Sequence, residues 1–300
     1  MGYGYEILST PAAYLKRAQV GAKEAGRSSK AVVIPFGSHR LQHCVLWEPD
    51  HVTHDETVMY FHGGGYLVGT PESMINAADV YNSQGYRFCS VGFRIMPANP
   101  FPAQVDDAFD GIAAALSWLG EHGRPAERFF VGGSSCGGHL ATLVGYGTWL
   151  QRAHRLDPAR VAGVISVAAI TDADDMLLHP LLAPVWPHYI SLPAGSSHEE
   201  RHQALLPYSP IALLDQIPAH APLPPFFAIH GVADQMSPYA HEVTFVRKLQ
   251  HMGGTSAARL HTIDDPVWQH MWTTVTLHRN SVEKSAPLTA LFAWLDEVTS

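Results

Sequence analysis

The residues best equipped for chemistry stand at two glycine clusters. Gly133-Ser134-Ser135-Cys136-Gly137 reads as G-x-S-x-G, after a short apolar segment from Arg128 to Val131 and before a helical one from Cys136 to about Gln151. A serine hydroxyl becomes a usable nucleophile when a sharp strand-to-helix turn exposes it, and flanking bulk prevents such a turn. Glycines two before and two after meet that need. The register selects one residue. Centring on Ser134 requires glycine where Cys136 stands, and centring on Cys136 requires glycine where Ser134 stands. Only Ser135 fits. The helix start also offers N–H groups and partial positive charge to a developing oxyanion. The plain alternative is a glycine-rich turn without catalysis.

The second cluster is His62-Gly63-Gly64-Gly65-Tyr66, at the end of a predicted strand. Glycines let backbone N–H groups approach a substrate oxygen without a Cβ in the way. Gly63 and Gly64, with the N–H of Cys136, form a candidate oxyanion hole. A phosphate cradle is disfavoured, because no G-K-[ST] follows and no G-x-G-x-x-G opens a helix here. His62 reads as a loop-ordering residue rather than a base.

With these motifs the chain resembles the α/β-hydrolases, specifically the hormone-sensitive-lipase-like carboxylesterases, from about Ala31 onward. H-G-G-G-Y at 62–66 is similar to that family's oxyanion motif, and R-F-F-V-G-G-S-S-C-G-G-H-L-A at 128–141 to its nucleophile elbow. F-R-I-M-P-A-N-P-F-P-A-Q-V-D-D at 93–107 resembles its Tyr-Arg-Leu-Ala-Pro segment, and I-H-G-V-A-D at 229–234 the strand and loop that deliver the acid. Family members often carry Gly-Asp-Ser-Ala-Gly-Gly at the elbow. Here Ser134 replaces the acid and Cys136 the alanine. The backbone role of position 136 survives, and the thiol is expected to narrow the acyl side. The elbow and the H-G-x-x-D loop also resemble feruloyl/acetyl esterases and formamidases.

The resemblance implies a triad in the order serine, acid, histidine. Asp234 follows an apolar strand on the loop at its end, where an orienting carboxylate belongs. Asp172, Asp174 and Asp175 follow an earlier strand and stand in reserve. His251, His261, His270 and His278 lie downstream. His251 ends a predicted helix and His261 lies inside the last strand. His270 occupies a loop, D-D-P-V-W-Q-H-M-W, before the final helix, and is the expected base, with His278 in reserve. His139, one turn into the nucleophile helix, reads as a packing or hydrogen-bonding residue.

The implied reaction is two-step ester hydrolysis through an acyl-enzyme on Ser135, its rate falling as His270 takes up a proton. The substrates expected are small to medium, largely uncharged acyl or aryl esters. Two rivals stand beside it: an amidase of formamidase type, and a non-catalytic ligand-binding relative.

Elements must hold these residues in place. Strands are predicted at Ala31–Phe36, Leu41–Trp47, Glu56–His62, Arg87–Phe93, Arg128–Val131, Val161–Ala169, Pro225–His230 and Ala258–Ile263. Helices are predicted at Pro11 to about Ala25, Pro71 to about Ser83, Phe101–Leu119, Cys136 to about Gln151, Tyr239–His251 and Pro287–Val298. The later strands are near-continuous apolar runs alternating with helices, which argues for a mostly parallel sheet covered on both faces. The first strands are joined by short turns and predict an antiparallel edge. The fold class is α/β, a single domain over 1–300. A cap over the site is expected from residues 1–28 and from an insertion at 171–216 rich in proline and aromatics.

Composition agrees. Of 300 residues, 46% are hydrophobic and 15% charged, which excludes disorder. The net charge of −8, without a basic run, argues against a nucleic-acid partner. No zinc spacing such as H-E-x-x-H occurs among the 19 histidines, so no metal and no cofactor are expected. Cys44, Cys89 and Cys136 form no C-x-x-C pair. With no signal-peptide pattern at the start and no apolar run of membrane-spanning length, a cytoplasmic location and no membrane partner are expected. The partner is a small-molecule ester, and a homodimer is compatible with the sequence.

Overall fold

The computed structural model describes residues 31–174, 192–193, 195–218, 221–254, 256–265, 270, 273, 282 and 285–300. The N-terminal helix and cap segment expected within 1–28 lie outside these residues, as does 175–191 of the insertion.

Eight strands form one sheet: β1 Ala31–Pro35, β2 His43–Trp47, β3 Thr57–Phe61, β4 Arg87–Val91, β5 Phe129–Ser134, β6 Val161–Val167, β7 Phe226–Gly231 and β8 Ala258–Ile263. Their order is β1-β2-β4-β3-β5-β6-β7-β8. β2 pairs antiparallel with both β1 and β4, and every other pairing is parallel. The described helices are α1 Ile75–Ser83, α2 Ala103–Glu121, α3 Cys136–Tyr146, α4 Thr148–Ala153, α5 His198–Leu205, α6 Pro210–Leu213, α7 Tyr239–Gly253 and α8 Ala286–Thr299.

Strand periodicity sorts the core into two layers. Met59, Phe61, Phe129 and Val131 pack with Val105, Ile112 and Leu116 of α2, Leu140 and Val144 of α3, and Phe245 and Leu249 of α7. Their neighbours Val58, Tyr60 and Phe130 point to the other face, with Val80 and Tyr81 of α1 and Leu291 and Trp294 of α8. Strands covered on both faces must be apolar at every position, which accounts for the unbroken apolar runs. Trp294 lies 5.4 Å from the ring of Phe227 and 5.9 Å from that of Phe130, so the last helix closes the second layer.

Two local differences from expectation have physical reasons. β5 runs on to Ser134, through both glycines, because the strand carries its chain to the turn itself. The helix predicted over 136–151 breaks at Gly147, which leaves the helical region at φ −77° and ψ 79°. Glycine is a poor helix former, and it separates α3 from α4. No helix among the described residues is long and apolar enough to cross a membrane.

The F-R-I-M-P segment is a clamp. Asp107 is fully buried, and its carboxylate accepts from the Arg94 backbone N–H at 2.7 Å, the Arg94 guanidinium at 2.8–3.0 Å and Gln42 Nε2 at 2.8 Å. A buried carboxylate needs such partners. Met96 N–H donates to Tyr66 O at 2.8 Å, so the clamped segment supports the loop after β3.

Candidate active site

Ser135 stands between β5 and α3 with φ 56° and ψ −122°. A non-glycine residue in that region is strained, by about 1–3 kcal/mol. Its N–H donates to Val167 O at the end of β6 at 2.9 Å, and its carbonyl accepts from His139 N–H at 3.0 Å. The flanking glycines are required by close approach. A Cβ on Gly133 would sit 2.2 Å from the backbone of Gly137, and one on Gly137 would sit 2.2 Å from Phe61 O. The start of α3 is thus packed against the end of β3, where the second glycine cluster begins.

Asp234 lies three residues beyond β7. Its Oδ1 accepts from the backbone N–H groups of Met236 and Ser237, each at 2.9 Å. Its Oδ2 meets Nδ1 of His270 at 2.8 Å, and Nε2 of His270 lies 2.8 Å from Ser135 Oγ. With the carboxylate ionised, Nδ1 donates to Asp234, and Nε2 accepts from the Ser135 hydroxyl. All three side chains are buried. Burial alone would raise the Asp234 carboxyl, but His270 and His230 beside it outweigh that and hold it below the usual carboxylate range. The structure therefore brings together Ser135, Asp234 and His270, which lie far apart in the chain.

The reserve candidates stand elsewhere. Asp174 pairs with His202 of α5, and Asp172 is half-buried. His251 is exposed at the end of α7, and His261 lies on β8 opposite Ile229. Asp175 and His278 lie outside the described residues.

The loop after β3 is ordered from within. Nδ1 of His62 donates to Gly63 O at 2.7 Å, and the ring stacks on Phe93 at 4.2 Å. Because a peptide is planar and trans, holding Gly63 O turns the N–H of Gly64 to the opposite side. Burial holds the His62 ring neutral, down to about 4.

The Cys136 thiol corrects an expectation. It does not narrow an acyl side. It is fully buried, accepts from Tyr66 N–H at 3.3 Å and faces His62 O. Tight packing of α3 on the glycine loop turns it inward, and burial pushes the thiol up to about 12.

Sequence reasoning missed a second set of residues. Nε2 of His230 lies 3.2 Å from Asp234 Oδ2, and Nδ1 lies 3.3 Å from Glu242 Oε2 on α7. Ser166 on β6 donates to Glu242 Oε1 at 2.9 Å. The spacing of four between His230 and Asp234 was visible, but without a known bend after β7 it had no meaning. Among the described residues no group of three or more His, Cys, Asp or Glu could hold a metal ion. A cleft of about 740 Å³, lined by Trp47, Glu48, His51 and Asp79 among others, lies where β2 ends and β4 begins, at the opposite end of the strands from Ser135, and contains none of these groups.

Residues 46–249 match the family model described as BD-FAE. Esterase LipI of Mycobacterium tuberculosis is 32% identical over 107 residues, which are 33% of this chain and 32% of that protein. An ethyl acetate hydrolase of Pseudomonas putida is 38% identical over 92 residues, 29% of this chain and 28% of that one. The matched part thus spans about a third of these curated relatives' length. In fold, the chain is similar to an inhibited esterase B from Lactobacillus rhamnosis, with a TM-score of 0.70 and 20% identity over 98% of this chain and 96% of that chain.

Proposed function

The chain belongs to the BD-FAE family of hormone-sensitive-lipase-like α/β-hydrolases, and from that premise we propose that it is a carboxylesterase using Ser135, His270 and Asp234 as a catalytic triad. The observation that carries the reading is the continuous hydrogen-bonded line from Ser135 Oγ through both nitrogens of His270 to Asp234, 2.8 Å at each step.

His270 Nε2 takes the proton of Ser135 as its oxygen bonds to the ester carbonyl carbon. Asp234 keeps the ring in the correct tautomer and stabilises the imidazolium. The N–H groups of Gly63, Gly64 and Cys136 hold the tetrahedral oxyanion. Collapse breaks the bond to the alcohol oxygen, which leaves with the proton from His270. Water then attacks the acyl-enzyme by the same route, releasing the acid and restoring Ser135. The packing of α3 against the end of β3 supports the grouping of the three donors. Gly64 lies at φ 127°, and a Cβ there would sit 2.0 Å from Val68 O, so Gly64→Ala should misplace the loop. Loss of one oxyanion donor lowers kcat by about 10²–10³.

The substrates are small to medium, uncharged esters. Leu67 and Val232, both exposed just beyond β3 and β7, support an apolar approach to the site. The relative named ethyl acetate hydrolase supports a short acyl group. The N-terminal segment and the 171–216 insertion would cover the site as a cap within a single domain. The hydrogen bond from His139 to the Tyr208 carbonyl supports this for the insertion.

Hydrolysis of p-nitrophenyl acetate, butyrate and octanoate, with Ser135→Ala alongside, tests the proposal. Turnover by wild type and not by Ser135→Ala is expected, with shorter chains preferred. Turnover surviving in Ser135→Ala removes Ser135 from the mechanism. Absent turnover, with Ser135 unlabelled by a fluorophosphonate, removes the esterase reading.

A further inference from the structure

Asp234 has a second ring against it. Nε2 of His230 approaches the same Oδ2 that accepts from His270, and lies 2.9 Å from the carbonyl of Ser237. On its other side the ring faces Glu242, which in turn accepts from Ser166. His230, Glu242 and Ser166 are each fully buried, and they come from β7, α7 and β6. Tyr239 of α7 meets the His230 ring edge to face at 5.7 Å, while its hydroxyl is paired with Thr262 of β8 at 2.7 Å.

A carbonyl oxygen and an ionised carboxylate can only accept. The groups at the two nitrogens of His230 are the Ser237 carbonyl, Asp234 and Glu242. With Glu242 ionised, both nitrogens therefore carry hydrogen, and Glu242 Oε1 accepts from the Ser166 hydroxyl. We propose that His230, kept charged by Glu242, is a positioning residue: a buried imidazolium that grips the Asp234 oxygen shared with His270. This rests on the triad reading above and adds a residue to it.

The arrangement has two consequences. His230 joins the N–H groups of Met236 and Ser237 in fixing the Asp234 carboxylate, so the base is aimed by a carboxylate that cannot rotate. A like charge nearby also disfavours ionisation. The imidazolium that forms on His270 during the reaction therefore faces a second positive ring across the Asp234 oxygen they share. Glu242 neutralises the cation, which would otherwise be costly to bury. Burial lowers the proton affinity of His230, but the two carboxylates outweigh it and hold the ring up to about 10.

Nitrogen-15 NMR of the wild-type protein at pH 7–8 reads the ring directly. Two ring N–H signals from His230 are expected, and a single one overturns the proposal. Glu242→Gln keeps the shape, and its amide can donate to Nδ1, leaving His230 neutral. The acidic limb of the kcat/KM profile should then move upward by about one pH unit, a tenfold loss on that limb, with the plateau within a few-fold of wild type. A limb that stays in place while Tm or kcat falls would assign His230 and Glu242 a structural role only and overturn the proposal. If Glu242→Gln does not fold, the wild-type ring count decides. Failure of the esterase reading looks different: wild type turns over no ester and Ser135 escapes the fluorophosphonate, whatever the His230 signals show.

Discussion

The hydroxyl of Tyr66 and Nδ1 of His139 meet 2.8 Å apart in the interior, joining the loop after β3 to the first turn of α3. Nε2 of the same ring lies 2.7 Å from the Tyr208 carbonyl, which can only accept. Nε2 therefore carries the hydrogen and Nδ1 accepts from Tyr66. One neutral ring ties together the glycine loop, the helix behind Ser135 and the chain leading into α6. Burial holds it neutral, down to about 4.

Tyr66→Phe should leave Nδ1 of His139 buried without its donor. An unsatisfied buried group costs about 1–3 kcal/mol, and urea unfolding should give a loss in that range. Because Tyr66 anchors the loop proposed to supply two oxyanion donors, kcat should fall more than KM rises. A variant with wild-type stability and kcat would remove the bridge from the account.

Ser135→Gly and Ser135→Ala should separate strain from chemistry. Both remove the hydroxyl and should abolish turnover. Alanine keeps a Cβ at φ 56°, whereas glycine adopts that region freely. The relief, about 1–3 kcal/mol, exceeds the ~0.5–1 kcal/mol entropic cost of glycine, so Ser135→Gly should melt higher than Ser135→Ala. The reverse order by calorimetry would mean that the turn stores no strain.

Gly137→Ala should be severe, because its Cβ meets the backbone of Phe61 and His62 rather than a side chain that could swing away. Overpacking against rigid neighbours costs about 1–3 kcal/mol or more, and moving α3 shifts Ser135 and Cys136 together. A lower Tm together with a kcat reduced at least tenfold is expected.

Stability should pass through a maximum near neutral pH. His62 and His139 are held down to about 4, below the unfolded value near ~6.5. Between those values the unfolded chain binds protons that the folded one does not, so stability falls as pH drops from about 6.5 toward 4. Asp234, held below the usual range, adds to the loss at still lower pH. His230 is raised to about 10, so its contribution is complete below the unfolded value and disappears as pH rises from about 6.5 through 10. Melting temperatures from pH 4 to 10 should trace both slopes. In Glu242→Gln the alkaline slope should weaken and the acidic one remain.

Much of the frame was legible because local rules govern it. The apolar runs of β3, β5, β6 and β7 mark strands covered on both faces, and the short turn early in the chain joins antiparallel neighbours. Ser135 was readable because only one register satisfies the glycine requirement of a strained turn. Asp234 was readable as a residue on the loop beyond β7, whereas His270, expected on a loop, is helical and was singled out by chain order alone, since order limits which side chains can reach one end of a parallel sheet. Other features depend on which elements meet across that sheet. His230 was one of 19 histidines until β7, β6 and α7 closed around it and gave each of its nitrogens an acceptor. The inward turn of the Cys136 thiol, like the bridge from Tyr66 through His139 to Tyr208, follows from the packing of α3 against a loop some 70 residues earlier in the chain. Local pattern determined the strands, the elbow and the order of the proposed triad residues. Only tertiary packing decided their protonation and aim, because a buried ring takes its charge from whatever atoms the fold places against it.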